Sequence, residues 1–290
     1  MKETPRYYVP LQSHWPIVGA IGLFVTVVGI INILHHNPYA WGVFLVGTFI
    51  LAFMMFGWFR AVILEDHQGL YSAQLDRSFR WGMVWFIFSE IMFFAAFFGA
   101  LFYARHFAVP WLGGLGAKVS THTLLWEHFQ AAWPLLKNPD PLQFAGPKEA
   151  MHAFGLPALN TLILLTSGGT ITFAHIALKN NQRYKVSLGL LATVLLGIAF
   201  LILQAYEYHH AYSEMGIKLN SGIYGTTFFM LTGFHGAHVT IVTIMLAVIL
   251  LRCLRGHFTP EKHFGFEATA WYWHFVDVVW LFLFVFVYWL

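Results

Sequence analysis

Residues 223–251 read IYGTTFFMLTGFHGAHVTIVTIMLAVILL, which is 29 consecutive positions without a lysine, arginine, aspartate or glutamate. About 30 Å of hydrocarbon needs about 20 helical residues at 1.5 Å per residue, so this stretch is long enough to cross a bilayer. Six other apolar stretches are also about 20 residues or longer, although some contain a carboxylate, and they lie at 15–34, 39–59, 81–103, 154–178, 186–208 and 266–290. None shows the sustained alternation of a membrane strand. The sequence therefore predicts an all-α, polytopic membrane protein with seven transmembrane helices.

The composition of the whole chain agrees with this fold class. Of its 290 residues, 58% are hydrophobic and 10% are charged, whereas a soluble domain carries roughly 25% charged residues. A net charge of +3 is too small to indicate nucleic acid as a partner. The single cysteine, Cys253, excludes internal disulfides, iron–sulfur clusters and any site that needs two thiolates.

The placement of basic residues predicts the orientation. Eleven of the 16 lysines and arginines fall on one side of the seven predicted spans, and the excess of positive charge marks the cytoplasmic side. We therefore expect a cytoplasmic N-terminus and a periplasmic C-terminus. The eleven are Lys2, Arg6, Arg60, Arg77, Arg80, Lys179, Arg183, Lys185, Arg252, Arg255 and Lys262.

One long connection interrupts the pattern of short loops. The segment 105–153 contains Gly113-Gly114 and the run Lys137-Asn-Pro-Asp-Pro141, which indicates turns outside the membrane. Its middle, 121–136, is rich in tryptophan and is expected to form a short interfacial helix. We treat residues 1–290 as one domain that divides at the polar segment 65–80.

Carboxylates within apolar stretches are candidates for function, because a charge at a helix centre costs roughly 2.5–3.5 kcal/mol. Glu90 lies inside the third predicted span, Asp277 lies in the seventh, and Glu207 and Glu267 lie near span ends. We expect Glu90 to be either protonated or paired with a polar group on another helix. Two roles remain open for it, a functional one and a tie between helices.

Histidines form a second group of candidates. His235 and His238 are three positions apart, as are His274 and Asp277, so each pair shares a helix face. We expect these side chains, with Glu207, to make hydrogen bonds between helices, because that is the usual role of polar residues in packed membrane helices. The alternative is a carboxylate-rich metal site that includes Glu90. We expect no catalytic residue and no metal ligand in this chain.

A third group lies at the expected cytoplasmic interface, and it combines cations with an aromatic residue. Such residues bind phospholipid headgroups, in part because guanidinium offers two donors to a phosphate. Ordinary anchoring of the topology is the other interpretation. The group consists of Trp58, Arg60, Glu65, Arg80, Arg252 and His257.

Three segments carry a resemblance to a known family. They are HFGFEATAWYWHFVD at 263–277, TGFHGAH at 232–238 and LQAYEY at 203–208. Together they resemble subunit III of the aa3-type cytochrome c oxidases. The resemblance covers essentially the whole chain except the external loop, which is about thirty residues longer than in the shortest members of the family.

The resemblance implies a non-redox core subunit of the terminal respiratory oxidase, which passes electrons from cytochrome c to dioxygen and pumps protons. Haem a, haem a3 and the copper centres would then belong to partner subunits I and II, and cytochrome c would dock on the complex. It also implies a two-helix and a five-helix bundle around a cleft that holds phospholipid. The long loop and the N-terminal sequence favour a bacterial inner membrane.

The same resemblance assigns roles to particular residues. Glu90 matches the intramembrane glutamate of the family, Arg252 and His257 match contacts with lipid headgroups, and Trp58, Arg60 and Glu65 match the inner rim of the cleft. Phe59 stands at this rim where a second tryptophan is usual, and Tyr71 stands where a histidine often occurs. The alternatives are a related subunit of a quinol oxidase or a nitric-oxide-reductase-type complex, and a stand-alone transporter.

Overall fold

A computed structural model describes residues 8–9 and 12–290 of the chain. The regular secondary structure of these residues is helical, without a strand. Seven helices are long and apolar enough to cross a membrane, which confirms the predicted fold class. Their bounds are α1 Trp15–Leu34, α2 Ala40–His67, α3 Ala73–Tyr103, α6 Leu156–Lys179, α7 Arg183–Ser213, α8 Ile223–Leu254 and α9 Phe264–Leu283; the short helices α4 Val109–Leu112 and α5 Val119–Leu125 lie between α3 and α6. Lys2 and Arg6, which contribute to the predicted orientation, lie outside the described residues.

Several helices extend beyond the predicted apolar stretches. Helix α2 continues to His67 and α3 begins at Ala73, so most of the polar segment 65–80 is helical rather than a loop. The length of an apolar stretch corresponds to the thickness of the hydrocarbon core. The helix itself can continue beyond that core into water, so its ends need not coincide with the ends of the apolar stretch. Helix α3 passes through a π-helical turn, Ala104–Ala108, into α4, and α9 ends in a second one, Phe284–Trp289.

The predicted helix of the external loop is shorter than expected and begins earlier. Helix α5 ends at Leu125, and the prediction of a helix is wrong for 126–136. Contacts to the start of α8 and to the turn before it fix the later part of the loop: the Asn138 amide donates to the Ser221 carbonyl at 3.2 Å, and the Met151 N–H donates to the Tyr224 hydroxyl at 3.0 Å. The loop therefore packs on the helix bundle that follows it.

The chain divides into two compact units, residues 1–82 and 83–290. In the first unit, α1 and α2 approach each other closely at glycines. A Cβ atom on Gly29 would lie 2.5 Å from the Cα of Phe44, and one on Gly47 would lie 2.7 Å from the Cα of Thr26. Small residues allow two membrane helices to pack backbone against backbone.

In the second unit, α9 is the most enclosed helix. Half of its most apolar window is buried within the protein, compared with a third for α6. Trp273 and Trp280 on α9 are fully buried, together with Phe200 of α7 and Phe228 of α8. These large rings supply the core around which α6, α7 and α8 pack.

Candidate functional site

Glu90 of α3 pairs with a histidine on α8. Its Oε2 lies 2.8 Å from Nε2 of His238, and both side chains are largely buried. The other ring nitrogen of His238, Nδ1, lies 2.6 Å from the carbonyl oxygen of Phe234. A carbonyl can only accept, so Nδ1 carries a proton and donates it to this bond.

This geometry fixes how many protons the pair holds. With Nδ1 protonated, the bond between Nε2 and Oε2 contains one further proton, either on the carboxyl group or on the imidazole. Both arrangements leave the pair with no net charge, which is the state that a membrane interior tolerates best. The rings of Phe93 and Phe94 lie 5.8 and 5.0 Å from the imidazole centre. Glu90 and His238 therefore share one proton between Oε2 and Nε2, and aromatic rings surround them. We call them the one-proton pair.

The other candidate histidines face different helices. His235 donates from Nε2 to the carbonyl of Val276 at 3.2 Å, which joins α8 to α9. His274 lies 3.3 Å from the hydroxyl of Thr172 on α6, and its Nδ1 is 3.8 Å from Asp277. The structure does not bring His235, His238, His274 and Asp277 to one centre, so it gives no support to the metal-site or transporter alternatives that use them together.

Interhelical hydrogen bonds connect α9 to its neighbours at three levels. The indole of Trp273 donates to Ser167 and that of Trp280 donates to Thr161, both at 2.9 Å. In the π-helical turn, the Tyr288 hydroxyl donates to Glu207 at 2.7 Å. The hydrogen bond of Glu207 agrees with its predicted role between helices, whereas the sequence does not predict which residues pair.

Five of the predicted lipid contacts lie in the first unit. Trp58 and Phe59 are 49% and 54% exposed, and Arg60 is also exposed. Glu65 accepts a hydrogen bond from Tyr71 at 2.8 Å, and Arg80 pairs with Asp76 at 2.8 Å.

Tyr71, at a position where the family that the sequence resembles often has a histidine, makes hydrogen bonds within its own unit. Its hydroxyl also lies 3.2 Å from the carbonyl of Val62. Burial and the hydrogen bond to Glu65 raise the pKa of Tyr71 well above its usual value. The phenol therefore stays protonated and remains a donor at every physiological pH.

The other two predicted lipid contacts lie in the second unit, where α8 ends. The guanidinium of Arg252 stacks on the ring of Phe258 at 4.4 Å. The His257 N–H donates to the Arg252 carbonyl at 3.1 Å, so both residues belong to the same turn. Gly256 between them has φ +72°, a conformation that glycine adopts without strain.

One cluster of possible ligands was missed in the sequence. His175 near the end of α6, His263 just before α9 and Glu267 in the first turn of α9 place three ligand atoms within 4.8 Å of one another. The spacing of His263 and Glu267, four positions apart, is the signal that sequence analysis could have used. The third member comes from a distant part of the chain, so spacing alone could not find it.

Comparison with known proteins identifies relatives along the whole length of the chain. A model of the family described as cytochrome c oxidase subunit III matches residues 6–129 and 121–290. Cytochrome c oxidase subunit 3 of Drosophila melanogaster is 44% identical over 278 residues, which cover 96% of this chain and 94% of the relative. The subunit of the same name from Dugong dugon is 40% identical over 288 residues, with 99% and 98% covered.

Proposed function

Because the chain belongs to the cytochrome c oxidase subunit III family, it is a subunit of the oxidase complex, and we propose that it supports the catalytic subunits without carrying electrons itself. Members of this family lack metal centres of the kind that reduce oxygen. We infer that haem a, haem a3 and the copper centres reside in subunits I and II, which this chain contacts, and that cytochrome c docks on the assembled complex.

The observation that carries this proposal is the apolar surface of the first three long helices. Only 11%, 6% and 11% of the most apolar windows of α1, α2 and α3 are buried within the chain. Large side chains such as Phe24 and Phe49 are 70% and 71% exposed. In a membrane complex such a surface is covered by lipid or by another subunit. A chain with this much uncovered apolar surface is suited to assembly and lipid binding.

We propose further that the residues at the helix ends hold phospholipid headgroups. Arg252 presents its guanidinium on a fixed aromatic support, Phe258, which favours bidentate contact with a phosphate. Trp58, Phe59 and Arg60 expose aromatic and cationic groups at the end of α2, while Glu65, Arg80 and His257 complete the proposed set. Lipid held there would shield the neighbouring catalytic subunit and prolong its activity.

The test is to replace Trp58, Arg60 and Arg252 with alanine and to follow oxygen reduction over many turnovers. We expect the initial rate to be close to that of the wild type, with earlier inactivation and less co-purified phospholipid. Arg255→Ala is the matched control, because Arg255 is an exposed cation at the same end of α8. An unchanged lifetime together with unchanged bound lipid in the triple variant would overturn the proposal.

We propose that the one-proton pair of Glu90 and His238 assists proton uptake by the complex. Its support is the geometry: a carboxyl group and an imidazole share one proton at 2.8 Å. The test is Glu90→Gln, for which we expect slower uptake of the pumped protons from the cytoplasmic side, with the rate of oxygen reduction itself unchanged. An uptake rate equal to the wild type would exclude this role.

We also propose that the chain lies in a bacterial inner membrane with its N-terminus in the cytoplasm. The eleven basic residues on one side of the spans support this orientation. The test replaces Cys253 with serine and introduces single cysteines at Leu142 and at Gln182, in loops at opposite ends of α6. A membrane-impermeant thiol reagent should label position 142 from the periplasm and position 182 only after the membrane is opened; the reverse result would refute the orientation.

A further inference from the structure

We propose that His175, His263 and Glu267 form a binding site for a zinc-class divalent cation, a role that goes beyond the proposed function. One nitrogen of each ring and one carboxylate oxygen lie within 4.8 Å of one another. No other group of three or more histidine, cysteine, aspartate or glutamate side chains is this close within residues 8–9 and 12–290. The site lies at the end of the second unit where α6 ends and α9 begins.

The types of ligand atom, two imidazole nitrogens and one carboxylate oxygen, favour one class of metal ion. Two imidazoles and one carboxylate are a ligand set that Zn²⁺ takes in proteins, with a fourth position left for water. Magnesium and calcium prefer sites made entirely of oxygen ligands. Zinc is redox-inert, so the site differs in kind from the haem and copper centres that we assign to the partner subunits.

One of the two histidines, His263, is arranged as a metal ligand usually is, and the other has a buried nitrogen without a partner. Nδ1 of His263 donates to the carbonyl of Thr259 at 3.1 Å, which leaves the lone pair of Nε2 available and holds the ring in place. This pairing with a backbone carbonyl is the common outer-shell support for a ligating histidine. Nε2 of His175 is buried and makes no hydrogen bond, and a bound cation would compensate for that cost.

The distances require a modest closure. Bonds of 2.0–2.1 Å in tetrahedral geometry place ligand atoms about 3.4 Å apart, so atoms that lie within 4.8 Å of one another would approach by at most about 1.4 Å. Rotation of the Glu267 side chain can supply such a movement. Lys179 follows one turn after His175 on α6, and its positive charge weakens binding. We therefore expect an exchangeable ion rather than a permanently held one.

A bound ion would join three elements of the second unit. His175 belongs to α6, Glu267 to α9, and His263 is tied to Thr259 in the turn between α8 and α9. Zinc would therefore restrain the turn 255–263, which also contains His257 and Phe258.

The experiment titrates the purified oxidase complex with Zn²⁺ alone after treatment with a chelator. We compare the wild type with His263→Gln and Glu267→Gln, and use His209→Gln as the control, because His209 is an exposed imidazole outside the cluster. We expect each cluster variant to lose one bound zinc per complex, or to bind it about 100-fold more weakly. The control should match the wild type.

A second measurement separates binding from folding. Backbone hydrogen exchange at 255–263 should slow on addition of Zn²⁺ in the wild type and the control, and stay unchanged in both cluster variants. If one cluster variant does not assemble, the other provides the test. Cluster variants that assemble and bind zinc with wild-type stoichiometry and affinity, or a wild type in which zinc protects no backbone in this turn, would overturn the proposal.

Discussion

Several polar side chains within the membrane segments are paired across helices, and each pair determines how a substitution acts. The Glu90 carboxyl has His238 as its partner, and Trp273 has Ser167. A buried donor or acceptor that loses its partner costs about 1–3 kcal/mol, whereas a replacement that keeps the bond costs little. Conservative and truncating substitutions at one position should therefore differ sharply.

At Glu90, glutamine should be tolerated and alanine should not. The glutamine amide can donate to Nε2 of a neutral His238, so the hydrogen bond survives, whereas alanine leaves that nitrogen without its partner. We expect Glu90→Gln to assemble with wild-type electron transfer to oxygen, because no redox centre contacts this residue in our account. Glu90→Ala should lower the midpoint of thermal dissociation of the complex. Loss of electron transfer in fully assembled Glu90→Gln would contradict this prediction.

The pair of Trp273 and Ser167 allows a double-mutant cycle. Both side chains are fully buried, so Ser167→Ala leaves the indole N–H without an acceptor at a cost of about 1–3 kcal/mol. Trp273→Phe should then cost less in the Ser167→Ala background than in the wild type, because the donor is already unpaired. Thermal midpoints of the four proteins measure the coupling. Ser187→Ala, at a half-buried serine whose hydroxyl donates to the Arg183 carbonyl within α7, should change little, and strictly additive losses at 167 and 273 would refute the pairing.

The sequence identifies some of these polar residues as needing a partner, but it does not identify the partner. Glu90 could be recognised as a group in need of a partner because a charge in hydrocarbon is costly. Its partner could not be identified, because His235 and His238 both face inward on α8 and only the rotation of the packed helix separates them. His235 contacts α9 instead. Likewise, His263 and Glu267 have readable spacing, but His175 reaches them only through the tertiary fold.

At the scale of elements, helices were predictable and their ends were not. The bilayer fixes the minimum apolar length of a span, so all seven spans follow from the sequence. Outside the bilayer no such length requirement determines where a helix ends. Helix α2 accordingly continues to His67, and α3 begins as early as Ala73. The interfacial helix ends early at Leu125, since tryptophan content indicates depth in the membrane rather than backbone conformation.

The packing of α1 on α2 depends on glycine at the contact. Alanine at Gly47 would bring its Cβ against the backbone of Thr26, whereas nothing lies within 4 Å of a Cβ at Gly42 on the same helix. We expect Gly47→Ala to cost about 1–3 kcal/mol through overpacking, and Gly42→Ala to be neutral. Retention of the chain in the complex after a heat step measures the difference. Equal retention of both variants would show that the helices do not pack closely at this glycine.

At the scale of the whole molecule, two kinds of exposed apolar surface exist. Phe49 on α2 is 71% exposed in a span, and Leu142 in the external loop is 99% exposed. The first should contact lipid or a partner subunit and the second should contact water. High exposure of both residues in the isolated chain thus corresponds to different surroundings in the complex.

Arginine at the two positions distinguishes these surroundings. Phe49→Arg should cost about 2.5–3.5 kcal/mol, because the charge enters hydrocarbon, and should strongly reduce the amount of chain in the assembled complex. Leu142→Arg should leave this amount unchanged. Quantitative blotting of membrane fractions provides the measurement, and full assembly of Phe49→Arg would argue that α2 does not face lipid at this position.

We propose that this chain supports an oxidase whose electron-carrying metals belong to other subunits. The most direct measurement is iron and copper analysis of the full chain after its gentle dissociation from the purified complex, with optical spectra of the remaining subunits. We predict no stoichiometric iron or copper with the chain and a complete haem spectrum in the remainder. Iron or copper bound in a fixed ratio to this chain would contradict the account.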